Sequence, residues 1–236
     1  MSTRRVLRRR AVPLLKRLSL NANTLSICEI FDSIQGESTW AGLPCTFIRL
    51  AGCHLRCSWC DTSYSFTGGK KLTCSHVFER VKDANRPIVE VTGGEPLLQP
   101  AVYPLLEALL KLNRPVLLET SGTLDISNVP SDVHRIVDMK APSSGVVDRN
   151  CYENLDLLDQ RDELKIVILN RGDYEWAREL VQSKLTHQRA RAIVFSPVHG
   201  KLDAAELSEW ILEDSLAVRL GLQLHKVIWP DAERGK

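Results

Sequence analysis

Three closely spaced cysteines, Cys53, Cys57 and Cys60, are the residues of this chain whose types and spacing point most directly to chemistry. They form a C-x3-C-x2-C frame. Iron–sulfur clusters are usually held by four cysteine thiolates. Three clustered thiolates would bind three irons of a 4Fe–4S cube and leave the fourth iron open to another ligand. The spacing therefore predicts a cluster that takes part in catalysis.

A zinc site, a disulfide pair and scattered core cysteines are the alternative interpretations of these residues. Structural zinc sites usually have four protein ligands in two matched pairs, and no second pair at such a spacing follows here. His54 would be wedged between two ligands, which favours a surface histidine. We therefore prefer the cluster.

The remaining four cysteines, Cys28, Cys45, Cys74 and Cys151, are isolated in the sequence. Isolated cysteines mostly behave as small buried hydrophobes. The total of seven is odd and no signal peptide precedes them, so we expect a cytoplasmic protein with reduced thiols and not a disulfide framework.

Composition limits the possible protein classes. The chain has 236 residues with 44% hydrophobic content, which suits one domain with one core. No run approaches the roughly 18 apolar residues that span a bilayer, so we expect no membrane segment. Residues 1–28 hold seven basic side chains and no acidic one, although the net charge of the chain is only +2.

This basic N-terminal segment could be a nucleic-acid-binding arm, an organelle-targeting peptide or a disordered tail. We favour the tail and expect residues 1–23 to be an extension of a single domain at 24–236. The rest of the chain lacks a basic stripe with interleaved aromatic residues, which argues against direct nucleic-acid binding.

The elements that must position the cysteines form an alternating pattern of short apolar runs and longer helical runs, typical of βα units and a parallel sheet. Strands are predicted at 46–50, 88–92, 116–120, 135–140, 164–169, 192–196 and 222–228. Helices are predicted at 75–82, capped by Thr73, and at 101–112, 174–184 and 204–219. About six such units fit a partial α/β barrel, with a doubly wound open sheet as the alternative.

Several polar residues fall at the carboxyl ends of the predicted strands, where both architectures gather their chemistry. The Thr-Gly-Gly-Glu-Pro segment at 92–96 would let backbone groups approach a ligand. Arg49 is a charge within an apolar strand, so it lies either at the solvent-exposed rim or against an anion such as a carboxylate. Glu119 ends its strand and could accept a proton, but a structural role fits the sequence equally well.

Two further positions have open interpretations. Asp61 and Thr62 directly follow the last cysteine and offer oxygen ligands suited to Mg²⁺, although a simple turn explains the same residue types. In the predicted last strand, alternation places Gln223 and His225 on one face together, which could look into the barrel. A hydrogen-bonded structural histidine is the alternative.

Together these segments resemble the 7-carboxy-7-deazaguanine synthases, which belong to the radical S-adenosylmethionine (SAM) enzymes. The resemblance runs from about Glu29 to near the C-terminus. It rests on the order and spacing of short motifs at residues 34–37, 47–49, 51–53, 59–62, 92–96, 119–122, 138–140 and 223–226.

This resemblance implies the partial (β/α)6 TIM-type barrel of the radical SAM class. It also implies the conversion of 6-carboxy-5,6,7,8-tetrahydropterin to 7-carboxy-7-deazaguanine with loss of ammonia, a lyase step of queuosine biosynthesis. The implied cofactors are a 4Fe–4S cluster, SAM and Mg²⁺. The implied partners are the pterin, an electron donor such as flavodoxin or ferredoxin, and a second copy of the chain in a homodimer.

The resemblance also assigns residues. The cluster ligands would be Cys53, Cys57 and Cys60, and Thr62 would bind Mg²⁺. The SAM-binding residues would be Trp59, Cys60, Asp61, Gly94, Asp138, Met139, Lys140 and Ser196. The substrate-binding residues would be Ile34, Gln35, Gly36, Arg49 and Thr92, with Glu119 and His225 beside the substrate as catalytic groups.

Two other functions fit the cysteine frame. A glycyl-radical activating enzyme has the same cysteine spacing, but it acts on a protein and would not need the set of Gln35, Arg49 and Thr62. An iron–sulfur electron carrier would usually have a fourth cysteine ligand and no reason for the glycine turn.

Overall fold

The computed structural model describes residues 20–184, 189–232 and 234–235. Residues 1–19 of the predicted basic extension lie outside this part of the chain. Within the described ranges, none of the helices combines the length and the apolar character needed to cross a membrane.

A nine-stranded sheet organises the fold. Its strands are β1 (Thr24–Ile34), β2 (Pro44–Leu50), β3 (Lys70–Thr73), β4 (Ile88–Gly93), β5 (Val116–Thr120), β6 (His134–Met139), β7 (Glu163–Ile168), β8 (Ala192–Pro197) and β9 (Arg219–Leu220). Their order is β3-β1-β2-β4-β5-β6-β7-β8-β9. β1 pairs antiparallel with β2 and β3, whereas every other neighbouring pair is parallel. The two edges, β3 and β9, do not pair in this order, so the barrel is partial.

The helices are α1 (Cys74–Ala84), α2 (Val102–Leu109), α3 (Arg171–Lys184), α4 (Ala204–Glu213) and α5 (Leu224–Ile228). Thr73 caps α1 as predicted, because its hydroxyl accepts the backbone N–H of His76 at 3.2 Å. Apolar faces of the helices pack on the outside of the sheet and form the main core with strand residues such as Val91 and Leu118. The predicted α/β partial barrel is therefore confirmed.

Six of the seven predicted strands are present with ends shifted by at most a few residues. β1 and β3 were not predicted. β1 runs antiparallel to the barrel strands and is half-buried along most of its length, so it lacks the continuous apolar run that marks a strand buried on both faces.

The predicted helix at 204–219 was too long. Helix α4 ends at Glu213, and Ser215 takes a left-handed conformation with φ 49°. The N–H of Leu216 then bonds to the carbonyl of Ile211, which closes the end of the helix. The chain turns back at this point to form β9.

The predicted strand at 222–228 was wrong, since the chain pairs with β8 only through Arg219 and Leu220 and then forms α5. Gly221 lies too close to β8 for a side chain, with Val194 Cγ1 2.5 Å from an added Cβ. The next backbone bond runs from the N–H of Leu224 to the carbonyl of Gly36. Contacts distant in sequence therefore override the local alternation.

The inside of the barrel is apolar at one end. Cys45, Ile88, Leu117 and Ile136, near the amino ends of their strands, form a second buried cluster with Trp40 and Phe47. Trp40 belongs to the loop between β1 and β2, and its ring meets the ring of His134 edge-on at 5.8 Å. The loop therefore closes this end and leaves the carboxyl ends of the strands for the site.

Candidate active site

A cavity of 490 Å³ lies at the carboxyl ends of the parallel strands. Its volume falls within the range of small-molecule sites. All of the residues assigned above line it except Met139, whose side chain is fully buried in the main core. The cysteine loop and the strand ends therefore share one cavity.

The three cysteines of the loop are free, half-buried thiols on the cavity wall. Among the described residues, no three Cys, His, Asp or Glu side chains are grouped closely enough to hold one metal ion. Three thiols on one cavity wall are a donor set that fits a 4Fe–4S cluster whose fourth iron is open to another ligand.

Backbone contacts hold the cysteine loop in place. The N–H of Ser58 bonds to the carbonyl of Ser144 at 3.1 Å, and its hydroxyl bonds to the carbonyl of Ser143 at 2.8 Å. Burial raises the pKa of the Cys53 and Cys57 thiols. Binding to iron would remove these protons, because the thiolate is the metal-ligating form.

Close backbone packing requires glycine at both positions 93 and 94, at the end of β4. A Cβ on Gly94 would lie 2.2 Å from the carbonyl oxygen of Gly52, and one on Gly93 would lie 2.3 Å from that of Leu50. The N–H of Gly94 bonds to the carbonyl of Leu50, and the N–H of Glu95 to that of Gly52. The two glycines thus hold the turn against the start of the cysteine loop, while Gly94 also lines the cavity.

Glu95 of the same turn is fully buried and connects it to the end of β5. Its carboxylate accepts the Ser121 N–H at 2.7 Å, the Ser121 hydroxyl at 2.5 Å and the Thr120 hydroxyl at 2.9 Å. A buried carboxylate requires such partners. Glu95 is therefore a structural residue of the site.

The β6 end supplies two charged groups. Asp138 Oδ2 accepts a bond from Lys140 Nζ at 2.7 Å, and Asp138 Oδ1 is buried without a partner among the described residues. Burial would lower the pKa of Lys140, but the Asp138 carboxylate holds it above its ordinary value. An unpartnered buried oxygen is costly, so Asp138 fits a ligand with hydroxyl or amino donors, such as SAM. Ser196 faces the same cavity from β8.

Thr62 lies at the start of a short 3-10 helix, Ser63–Ser65, but its hydroxyl does not cap that helix. The turn is made by its carbonyl oxygen, which accepts the N–H of Ser65 at 2.8 Å and the hydroxyl of Ser65 at 2.7 Å. The Thr62 hydroxyl lies 3.8 Å from Cys60 Sγ. It is therefore available to a metal ion.

The side chain of Asp61 lies against helix α5 and is only partly exposed to solvent. Its Oδ2 accepts bonds from Lys226 Nζ at 2.7 Å and from Gln223 Nε2 at 3.1 Å. Burial would raise the pKa of Asp61, but these two donors hold it at about 2. Its side chain thus joins the C-terminal helix to the cysteine loop.

Arg49 occupies the end of β2 in a half-buried position. Its Nε donates to Glu29 Oε1 at 2.8 Å, and its guanidinium carbon lies 5.6 Å from the centre of the Phe31 ring. Its two terminal nitrogens have no hydrogen-bond partner among the described residues. Arg49 lines the cavity, so this half of the guanidinium fork can bind a ligand carboxylate.

A chain of ionic contacts crosses the cavity. Lys165 of β7 donates to Glu37 Oε2 and, at 2.8 Å, to Glu119 Oε1, and the Thr92 hydroxyl donates to Glu119 Oε2 at 3.2 Å. Burial would raise the pKa of Glu119, but Lys165 holds it below its ordinary value. Burial and the nearby Glu119 carboxylate raise the pKa of Glu90, which lies on β4.

Gln35 is buried, and three hydrogen bonds tie its side chain to the protein. Its Oε1 accepts the N–H groups of Glu37 and Ser38, and its Nε2 donates to Glu90 Oε2 at 2.9 Å. Gln35 thus shapes the loop after β1 and fixes Glu90 on the cavity wall.

Gly36 makes room for His225, because a Cβ there would lie 2.4 Å from His225 Nδ1. The half-buried imidazole faces the cavity from α5 and not from a strand, as the sequence had suggested. Burial lowers the pKa of His225. Gln223 beside it donates to Glu37 Oε1 at 2.9 Å.

Sequence reasoning assigned no role to Glu37, Glu90 or Lys165. Glu90 and Lys165 are charged residues within apolar strands, which is the signal that identified Arg49. The same rule applied to every strand would have found both. Glu37 follows Gly36 in a turn, and its place in the site depends on contacts with Lys165 and Gln223 that no local pattern reveals.

Comparisons with known proteins agree with this geometry. Residues 47–144 match the radical SAM superfamily. A 7-carboxy-7-deazaguanine synthase of Koribacter versatilis is 44% identical over 89% of this chain and all of its own length. One from Chlorobaculum tepidum is 48% identical over 88% of this chain and 96% of its own length.

Solved structures show the same fold. The crystal structure of QueE from Escherichia coli has a TM-score of 0.73 and 25% sequence identity, covering 88% of this chain and 98% of that one. Streptococcus suis SuiB bound to precursor peptide SuiA, with 12% identity and a TM-score of 0.53, shares the fold over 75% of this chain and 48% of its own. The radical SAM superfamily implies a 4Fe–4S cluster and SAM, which the cysteine loop and Asp138 fit. The chain therefore belongs to the 7-carboxy-7-deazaguanine synthase family of radical SAM enzymes.

Proposed function

We propose that this enzyme converts 6-carboxy-5,6,7,8-tetrahydropterin to 7-carboxy-7-deazaguanine and ammonia, within the biosynthesis of queuosine and related 7-deazapurines. The names of its relatives support this reaction. The substrate has one carboxylate and a reduced ring rich in N–H donors. A matching site needs one cationic anchor and several acceptors.

The observation that carries the proposal is the set of charges in the cavity. Arg49 offers the unengaged half of its guanidinium fork, and three carboxylates, Glu37, Glu90 and Glu119, line the same space as the cysteines. Arginine binds carboxylates in a bidentate manner, and carboxylates accept ring N–H groups. Arg49 would hold the substrate carboxylate, with Thr92 and the loop of Ile34 and Gly36 beside the ring.

The cofactor residues follow from the same cavity. When bound, the reduced cluster and SAM supply a 5′-deoxyadenosyl radical that abstracts hydrogen from the substrate. Cys53, Cys57 and Cys60 would hold the cluster. SAM would lie against Trp59, Asp61, Gly94, Asp138, Met139 (through its backbone), Lys140 and Ser196. By enclosing both ligands, the walls fix their distance and exclude water.

Loss of ammonia needs a proton acceptor for a carbon-bound proton and a donor for the leaving amine. Glu119 is held ionised by Lys165, and burial keeps the His225 imidazole neutral, so both groups can accept a proton. We assign the proton transfers to this pair. A group that takes the carbon-bound proton can return it to the amine, which balances the step.

Thr62 would bind Mg²⁺ in this enzyme. Its hydroxyl is not used by the turn that it begins and lines the cavity beside Cys60. Mg²⁺ usually keeps few protein ligands and completes its shell with substrate oxygens or water. The substrate carboxylate is a suitable ligand, so the ion would help to orient it.

The expected partners are a flavodoxin or ferredoxin as electron donor and a second copy of the chain. Exposed apolar side chains at Leu212, Val227 and Ile228 support a homodimer. All seven cysteines are free thiols, which supports a cytoplasmic location. Light scattering measures the molecular mass of the purified protein in solution. A mass equal to that of one chain would contradict the dimer.

Binding of two related pterins tests the substrate. We expect the anaerobic holoenzyme with SAM and an unreduced cluster to bind the carboxytetrahydropterin at least roughly 30-fold more tightly than tetrahydropterin without the carboxylate. Calorimetry measures both. Equal affinity, or no binding of either compound, would contradict the proposed function.

A further inference from the structure

We propose that Lys165 is a positioning residue of the substrate site, whose ammonium group orients the Glu37 and Glu119 carboxylates toward the ring N–H groups of the pterin. This inference rests on the proposed function, because it concerns the same substrate. It assigns a role to a residue that no motif of the sequence identified.

The geometry places Lys165 between the two carboxylates. Its side chain is 10% exposed on β7 and bonds to Glu119 Oε1 at 2.8 Å and to Glu37 Oε2. Glu37 belongs to the loop after β1, whereas Glu119 lies near the carboxyl end of β5, so the two acids come from separate parts of the chain. One ammonium group therefore sets the relative position of both.

Both carboxylates are also held at their second oxygen. Gln223 Nε2 donates to Glu37 Oε1 at 2.9 Å, and the Thr92 hydroxyl donates to Glu119 Oε2 at 3.2 Å. Each acid thus has its orientation fixed at two points. Lys165 supplies the charged contact in both cases, and charged hydrogen bonds are about twice as strong as neutral ones.

Without Lys165 the two carboxylates would lie near each other in a half-buried cavity. Like charges so placed repel, and at least one acid would take up a proton or turn away. A protonated or displaced acid no longer presents an acceptor to a ring N–H group. We therefore expect the loss of Lys165 to weaken pterin binding. The cysteine loop should still hold its cluster, because the hydrogen bonds that Lys165 makes within the described part of the chain do not reach it.

The test is the change Lys165→Met, measured as pterin affinity of the anaerobic, SAM-bound holoenzyme with an unreduced cluster. We expect affinity to fall by roughly 30-fold or more, because a buried charge pair loses one member. Iron content should stay within about twofold of the wild type, because the hydrogen bonds of Lys165 do not reach the three cysteines. An unchanged pterin affinity would overturn the proposal.

A matched control comes from the opposite end of the barrel. Arg135 is 7% exposed, bonds to Asp162 and does not line the cavity. Arg135→Met also leaves a buried carboxylate without its cation, so it reports the general effect of such a loss. We expect it to lower thermal stability without changing pterin affinity. A similar loss of affinity in both variants would show that Lys165 acts only through stability.

A double-variant cycle separates positioning from direct binding. In the Glu119→Gln background, Lys165→Met should weaken binding by clearly less than it does in the wild type, because one of its two targets is already neutral. In the double variant only Glu37 is left as a charged group without its Lys165 partner. The double variant should therefore fold even if Lys165→Met alone does not. An equal effect in both backgrounds would overturn the proposal.

The pH dependence of binding gives a second readout. Burial would raise the pKa of Glu119, but Lys165 holds it below its ordinary value, so Glu119 keeps its acceptor form to lower pH than an ordinary glutamate. Lys165→Met should raise that pKa and move the acid limb of pterin binding to higher pH. Other charged or titratable groups act on Glu119 or line the same cavity. They are Arg49, Lys140, Lys201, Lys226, Glu37, Glu90, Asp61, Asp138, His199 and His225. An acid limb at the same pH in both proteins would overturn the assignment.

Failure of this inference differs from failure of the proposed function. If wild-type protein binds and converts the pterin but Lys165→Met does so equally well, only the role of Lys165 is wrong. If wild-type protein shows no affinity for the pterin, the substrate assignment itself fails.

Discussion

The Nζ atom of Lys226 lies 2.7 Å from Oδ2 of Asp61, so helix α5 is bonded directly to the residue that follows the last cysteine of the loop. Gln223 at the start of α5 shares the same carboxylate. His225, between these two residues, is thereby held over the cavity. The C-terminal helix is thus a wall of the site.

We expect Lys226→Met to loosen this wall. The pair is partly exposed, with 24% of the Lys226 side chain and 46% of that of Asp61 accessible, so its contribution is about 0.5–1 kcal/mol. Hydrogen exchange in residues 222–230 should therefore be about two- to fivefold faster. The exposed Lys82→Met on α1 serves as control and should leave that exchange unchanged. If the wild type, Lys226→Met and Lys82→Met exchanged at equal rates in residues 222–230, the Lys226–Asp61 contact would not hold α5 in place.

Removal of one cluster ligand should abolish the cluster. Wild-type protein reconstituted without oxygen should bind about four irons, and SAM should alter the EPR spectrum of the reduced cluster. Cys57→Ala should lose most of the iron. Cys151→Ala, a half-buried cysteine outside the cavity, should retain it. Stoichiometric zinc in wild-type protein, or an EPR signal that ignores SAM, would disprove the three-cysteine cluster.

Thr62→Val removes a hydroxyl while keeping the size of the side chain. Because the turn uses the carbonyl oxygen of Thr62, the backbone should stay in place and iron and SAM binding should persist. Turnover should lose its stimulation by Mg²⁺. Titration of turnover with Mg²⁺ measures this directly, and a response equal to that of the wild type would leave Thr62 as a turn residue only.

The change Gly36→Ala tests the position of His225. The added Cβ would lie 2.4 Å from His225 Nδ1, so the imidazole must move. A displaced catalytic group can cost on the order of 10²-fold in kcat/KM. Gly172→Ala in α3, whose Cβ has no contact below 3.3 Å, is the matched control and should leave kcat/KM unchanged. Normal activity of Gly36→Ala would argue against a catalytic His225.

Arg49→Met tests the recognition of the substrate carboxylate. Losing this charged contact should weaken pterin binding by about 2–5 kcal/mol, because the carboxylate is left buried and unpaired. Affinity for SAM should not change. Arg86→Met, which removes an exposed arginine paired with Asp32, is the control. Pterin affinity within a factor of about two of the wild type would show that Arg49 is only a rim residue.

Local patterns were sufficient to predict the central strands, whereas the roles of the site residues came from the resemblance to a known family and stay predictions. The apolar runs of the central strands and the glycines at 93 and 94 are dictated by local chemistry, and the structure places them as expected. Local patterns could not predict the C-terminal helix, because Leu222 to His225 alternate between apolar and polar residues like a strand. It becomes a helix through bonds to Asp61, Glu37 and Gly36, which lie more than 160 residues away.

Residue roles were less predictable than residue positions. Gln35 was assigned to the substrate from a motif; its amide bonds to the loop and to Glu90, and its part in binding substrate stays a prediction. Lys165 was passed over because a charge within an apolar strand was considered only at Arg49. Its role depends on which acids the barrel brings to it, and that is a property of the strand order.

Mass spectrometry of a single anaerobic reaction tests the central claim most directly. Reconstituted protein, SAM, Mg²⁺ and a chemical reductant are mixed with 6-carboxy-5,6,7,8-tetrahydropterin. We predict a product lighter than the substrate by one ammonia that matches 7-carboxy-7-deazaguanine. Cleavage of SAM without any change in the pterin, by protein with a full cluster, would contradict the account.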